Sequence, residues 1–126
     1  MTGSLVAIID DDEDLCSSLV DLLRSAGYRV ESFPSAETFM ASINLLLFHC
    51  VVADIHMPGM GGVNLARKVR QEGLTTPVIL ITALPDRHLD DDAISVGAQC
   101  LLRKPFETRT LLDQVERSLA NARPRS

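Results

Sequence analysis

Four short apolar runs, each delivering a reactive polar side chain at its end, restrict the fold of this chain more than any other feature. Cys50-Val51-Val52-Ala53 ends at Asp54, and Leu5-Val6-Ala7-Ile8-Ile9 runs into Asp10-Asp11-Asp12. Val78-Ile79-Leu80-Ile81 runs into Thr82-Ala83, and Cys100-Leu101-Leu102-Arg103 into Lys104-Pro105. A nearly unbroken apolar run of this length lacks the polar alternation of a half-solvated strand, so it reads as a strand buried on both faces. Open parallel sheets bind their ligands in the crevice outside the carboxyl ends of such strands. The four runs therefore bring carboxylates, a hydroxyl and an ammonium to one rim.

With 126 residues the chain is long enough for one domain that buries roughly two-thirds of its unfolded surface without staples. A net charge of -5 argues against holding nucleic acid through phosphate contacts. Cys16, Cys50 and Cys100 are odd in number and widely spaced, so buried reduced thiols in a reducing cytosol are expected rather than disulfides or a metal site. Met1-Thr2-Gly3-Ser4 carries no basic segment followed by a long apolar core, and no run has the length needed to cross a bilayer. A cytoplasmic location is the expectation.

Between the runs the apolar period changes to that of helices. Glu13 to Ala26 places Leu15, Leu19, Val20, Leu22 and Leu23 at helical spacing, and Gly27 stops the segment as a C-terminal cap. Tyr28 to Phe33 alternates and reads as an edge strand. Ser35 is placed to cap a helix that extends to about Ile43. Met57-Pro58-Gly59-Met60-Gly61-Gly62 is a turn, followed by a helix from Val63 to about Glu72. Pro85 suits the first position of a helix that Asp86 to Val96 continues as far as Gly97. Glu107 to Asn121 forms the last helix, with Leu111, Leu112, Val115 and Leu119 as its buried stripe. Five strands alternating with five helices predict an α/β fold with right-handed crossovers and helices on both faces of a parallel sheet.

At the rim, Asp10, Asp11 and Asp54 brought together at neutral pH would repel one another and push at least one toward protonation. A divalent cation removes that cost. Oxygen ligands in a shallow, wet position favour magnesium, while no histidine pair or cysteine cluster is spaced for zinc. With magnesium bound, Asp54 stays ionised and can attack phosphorus in line, Lys104 neutralises the equatorial oxygens, and the Thr82 hydroxyl can donate to the same group. An acyl phosphate on Asp54 is the natural product.

These residues resemble the receiver domains of two-component response regulators, the CheY-like superfamily, and in pattern those of the FixJ group. The marks are Ile9-Asp10-Asp11-Asp12-Glu13, Asp54-x-x-Met57-Pro58 with Gly62, Thr82-Ala83, Gly97-Ala98 and Lys104-Pro105-Phe106, in order over nearly the whole chain. The resemblance implies a flavodoxin-like (βα)5 fold with strand order 2-1-3-4-5. It implies Asp54 as phosphoacceptor and Asp11 as a direct magnesium ligand, with Asp10 acting partly through water and His56 lending its backbone carbonyl. Thr82 becomes the switch hydroxyl and Lys104 the phosphate-sensing cation, aimed by a cis peptide bond before Pro105. Residues 1–122 would be the receiver and 123–126 the start of a linker to an effector domain. The implied partners are a sensor histidine kinase or phosphotransfer protein, and a second copy in a phosphorylation-dependent dimer. DNA would be reached only through a domain outside this chain. Beyond self-catalysed phosphoryl transfer and autodephosphorylation, such a domain is not an enzyme.

Leu101 stands where the family usually has Tyr or Phe as the rotating partner of the switch threonine, which puts an aromatic flip in doubt. Leu84 and His56 flank the phosphoryl site, beside Ala83, and would tune water access. Three rivals differ in class. An aspartyl-phosphate phosphatase needs an acid two residues after its nucleophile, where this chain has His56. A flavodoxin-like cofactor carrier needs a Ser/Thr/Gly-rich loop where Asp10-Asp11-Asp12-Glu13 stands. A phosphorylation-independent receiver serving as a protein-interaction module rests on Leu101 alone. The simpler readings are a solvated helix face for Asp90-Asp91-Asp92, loop packing for Met57 and Met60, and no special role for His49 or His88. Asp10-x-Asp12-x-Asp14 imitates a calcium loop but has Leu15 in place of the required glycine.

Overall fold

A computed structural model describes residues 3–42, 47–85 and 87–121. Five strands, β1 (Leu5–Ile9), β2 (Arg29–Phe33), β3 (Cys50–Asp54), β4 (Val78–Thr82) and β5 (Cys100–Arg103), alternate with five helices. The helices are α1 (Glu13–Ser25), α2 (Ala36–Met40), α3 (Gly62–Gln71), α4 (His88–Ser95) and α5 (Thr108–Asn121). The strands form one parallel sheet in the order β2-β1-β3-β4-β5, as expected.

The apolar runs behave as their composition requires. Every residue of β1, β3 and β4 is buried, while β2 and β5, at the sheet edges, expose part of theirs. Successive side chains of a strand point to opposite faces, which splits the core in two. Ala7, Ile9, Val51, Ala53, Val78 and Leu80 join Leu65 and Val69 of α3, Phe39 of α2 and Leu89 of α4. Val6, Ile8, Val52, Ile79 and Ile81 join Leu19 and Leu23 of α1 and Leu111 and Val115 of α5. Phe33, Phe39 and Phe48 meet edge to face with ring centres 5.3–5.7 Å apart, closing the first layer at the β2 edge.

The α1 boundaries follow from local chemistry. The Asp12 carboxylate accepts the Leu15 N–H at 3.1 Å, an N-cap that stabilises such a helix by about 1 kcal/mol. Gly27 ends the segment at φ 99°, with its N–H on the Arg24 carbonyl and the Tyr28 N–H on that of Leu23, the paired bonds of a Schellman turn.

Two helices differ from expectation. Helix α2 ends at Met40; Ile43, where the sequence placed its end, lies outside the described residues. Helix α4 begins at His88, and Pro85 precedes it without helical structure, while Asp86 is also outside the described residues. The chain after Thr82 is used in a turn, with the Leu84 N–H folded back onto the Thr82 hydroxyl. Proline's fixed φ suits that turn as well as a first helical position.

Candidate functional site

The sheet order places the ends of β1, β3, β4 and β5 side by side. Ile9 pairs with Ala53, Asp54 with Ile81 and Thr82 with Arg103, so Asp10, Asp54, Thr82 and Lys104 share one rim. Asp10 and Asp54 are only 4% and 8% exposed and Thr82 is fully buried.

Three of the strand ends repeat one device. The Asp10 carboxylate accepts the Asp12 N–H at 2.9 Å, that of Asp54 accepts the His56 N–H at 2.8 Å, and the Thr82 hydroxyl accepts the Leu84 N–H at 3.1 Å. A short polar side chain that bonds backbone two residues on forms an Asx- or Ser/Thr-turn. Each turn fixes one side-chain oxygen and leaves the rest of the group facing the rim. The second oxygen of Asp54 accepts Lys104 Nζ at 3.1 Å. The Lys104–Pro105 peptide is cis.

Burial pushes the Asp10 carboxyl up to about 6, against the Asp12 N–H, which lowers it; the negative charge of nearby Asp54 adds to the rise and the positive charge of Lys104 opposes it.

That donor set fits a magnesium ion. The repulsion a dication relieves is present at Asp10 and Asp54, and exposed Asp11 stands beside them at the solvent edge. Among the described residues no three acidic, histidine or cysteine side chains converge tightly enough to enclose a metal. Magnesium does not require it, because it keeps several waters and takes one or two carboxylates.

The turn after Asp54 is shaped by glycine. A Cβ on Gly62 would lie 2.6 Å from the Asp54 carbonyl oxygen, and one on Gly61 would collide with the Ile55 carbonyl. Backbone can pass this close only without side chains. Met57 is buried and Met60 half-buried against the core, so both pack the loop as expected. His56 and Ala83 are exposed, Leu84 is 48% exposed, and Leu101 is half-buried against the α3 side of the sheet.

The rim brings together the residues expected there, and other contacts went unread. Asp12, taken with the rim acids, caps α1 instead, a role its place just before Glu13 signals. Asp90, expected to be solvated, pairs with Arg103 at 3.1 Å and so links α4 to β5. His49 takes the Leu5 N–H on Nδ1 at 2.9 Å and returns its own N–H to the Leu5 carbonyl, pinning the start of β1. Glu37 accepts the Met60 N–H at 2.8 Å. Cys16, Cys50 and Cys100 are free thiols.

The response regulator receiver domain family matches residues 6–116. The chain belongs to that family. Among its relatives, the transcriptional regulatory protein FixJ of Bradyrhizobium diazoefficiens is 35% identical over 123 residues, 98% of this chain and 60% of FixJ. The response regulator protein TodT of Pseudomonas putida is 34% identical over 117 residues, 93% of this chain and 52% of TodT. This receiver therefore spans little more than half the length of those relatives. The crystal structure of FixJ-N superposes with a TM-score of 0.88 at 32% identity, covering 95% of this chain and 96% of that one. The BeF3-activated DrrB receiver domain superposes with a TM-score of 0.84 at 31% identity, covering 93% and 97%. No helix among the described residues of the receiver is long and apolar enough to cross a membrane.

Proposed function

We propose that Asp54 is the phosphoacceptor of this receiver. The observation that carries the reading is the state of its carboxylate: buried at a strand end, with one oxygen on the His56 N–H and the other on Lys104 Nζ. An Asp54 oxygen forms the bond to phosphorus as the phosphorus–nitrogen bond of a phosphohistidine breaks, and the departing imidazole takes up a proton. Lys104 neutralises the transferred oxygens, and the Thr82 hydroxyl, which accepts from Leu84, keeps its own proton to donate. The Asp10, Asp11 and Asp54 carboxylates and the His56 backbone carbonyl would hold magnesium, which when bound supplies positive charge against both carboxylates and phosphoryl oxygens.

The donor is a sensor histidine kinase or phosphotransfer protein, and the responding surface is α4, β5 and α5, from about residue 86 to 121. Residues 1–122 form the receiver, 123–126 begin a linker, and the output is a DNA-binding domain reached through phosphorylation-dependent dimerisation, in the cytoplasm. Relatives named as transcriptional regulatory proteins, FixJ and TdiR, of which the matched region is 60% and 52%, support that output. The half-buried Leu101, the exposed Ala83 and Leu84 that follow Thr82, and Pro105 beside Lys104 are the switch and tuning positions.

Incubation with acetyl phosphate and magnesium, followed by intact mass, tests the reading. One phosphoryl group is expected on the native chain, and none on Asp54→Ala or in EDTA. An adduct that survives the Asp54 substitution would refute it, and native protein that neither takes a phosphoryl group nor binds beryllofluoride would favour a phosphorylation-independent interaction module. Sedimentation with beryllofluoride reads the dimer; an unchanged coefficient removes that part.

A further inference from the structure

Resting on the reading of Asp54 as phosphoacceptor, we infer that Glu37 of α2 is a positioning residue for the phosphoryl site, acting by tethering the tip of the β3–α3 loop. The base of this loop is fixed by the strand ends: the Ile55 N–H bonds to the Ile81 carbonyl at 2.8 Å and the Gly62 N–H to that of Ile55 at 3.2 Å. Between these points lie the His56 N–H, which holds Asp54, and the His56 carbonyl, which would face the metal. The tip is held from outside. Glu37 Oε2 accepts the Met60 N–H at 2.8 Å, and the same carboxylate fills the space that a Cβ on Gly59 would need. Gly59 sits at φ 78°, a backbone that side-chain-bearing residues avoid, so glycine is required here both by conformation and by the approach of Glu37.

Glu37 can act as a fixed point because its neighbours are fixed. Ala36 and Phe39 are buried in the core, and the Ser35 hydroxyl accepts the Thr38 N–H at 3.0 Å, which holds the first turn of α2. The carboxylate thus carries the rigidity of α2 to the tip of a loop whose core packing there is by Met57 and Met60, flexible thioether side chains. Without the tether the tip is free to drift, and the Asp54–His56 turn samples more orientations before a cation or phosphoryl group binds. This bond is exposed to water, and a hydrogen bond of ordinary net strength changes an equilibrium constant roughly threefold to tenfold when lost.

The test compares the native chain with Glu37→Ala and Glu37→Gln. Magnesium is titrated and followed by the backbone amide resonances of Met60 and His56, with circular dichroism to verify that both variants keep their helices. The expected result is displacement of the Met60 amide in Glu37→Ala, a threefold to tenfold weaker magnesium affinity, and near-native affinity in Glu37→Gln, whose amide oxygen still accepts. Native affinity in Glu37→Ala, or an unmoved Met60 amide, would overturn the inference while leaving the role of Asp54 standing. Equal weakening in both variants would assign the effect to charge and also overturn it. If the native chain binds neither magnesium nor beryllofluoride, the reading of Asp54 and this inference fall together.

Discussion

The two sides of the rim are built differently. On the β1–β3 side, every strand residue is buried, Asp10 and Asp54 are held in turns, and the loop after Asp54 is packed by Met57 and Met60 and bound to α2 through Glu37. On the β4–β5 side, Thr82 is as well buried, but Ala83, Leu84 and Pro85 beyond it are exposed. Ile94 of α4 is 76% exposed, and only Leu102 of β5 is buried. Few buried contacts place a segment at the low-stability end of a fold. A phosphorylation switch needs this division: reacting atoms held in place, and a surface that rearranges at small cost.

Leucine truncation gives the largest contrast. Leu65, in the first turn of α3 beyond the loop after Asp54, is completely buried, and Leu65→Ala should cost about 2–5 kcal/mol in urea unfolding. The half-buried Leu101 should cost less than half as much. Equal losses would break the asymmetry. Gly62→Ala comes next, about 1–3 kcal/mol, because the added Cβ meets the Asp54 carbonyl and cannot push backbone aside. Gly97→Ala on the other side meets nothing nearer than Arg70 Nε at 3.6 Å, and only its φ of 74° penalises it, so a smaller loss is expected.

A third contrast is with pH. The Asp10 carboxyl, raised from 3.8 to about 6 by burial, binds its proton more tightly folded than unfolded. Its contribution is therefore most favourable below about 4 and is lost as pH rises through about 6. Unfolding midpoints in EDTA should fall over that window in the native chain and fall less in Asp10→Asn, with magnesium restoring the native chain above it. Parallel profiles would show that the acid pair costs the fold nothing.

Much of this site could be read along the chain because its residues end apolar runs. Runs such as Cys50–Asp54 announce buried parallel strands, and whatever polar residue follows them must lie at the rim. The turns at Asp10 and Thr82 onto the second residue's N–H were not anticipated, although aspartate and threonine at strand ends favour them. Helix α4 starts later than the proline signal implied because the same residues also suit a turn. Glu37–Met60 and Asp90–Arg103 leave no trace in the sequence, since crossover packing alone brings residues 23 and 13 positions apart together. Both could have been taken for ordinary helix-surface charge.

The smallest effect expected is at that second pair, and it bears most directly on the comparison. Arg103 presents Nη1 and Nη2 to the two Asp90 oxygens at 3.3 and 3.1 Å, with side chains 35% and 56% exposed. A pair this open is screened by water and salt, so Asp90→Asn should change global stability by less than about 1 kcal/mol. Yet the pair joins α4 to β5 on the more exposed side of the rim. Its loss should therefore appear as faster amide hydrogen exchange in α4, with α3 unaffected, and 1 M salt should produce the same pattern in the native chain. If α4 keeps its protection, the helix is held by Leu89, Ala93 and Val96 in the core alone, and the β4–β5 side is firmer than its exposed surface implies. If α3 loosens equally, the two sides open as one unit and the division drawn between them fails.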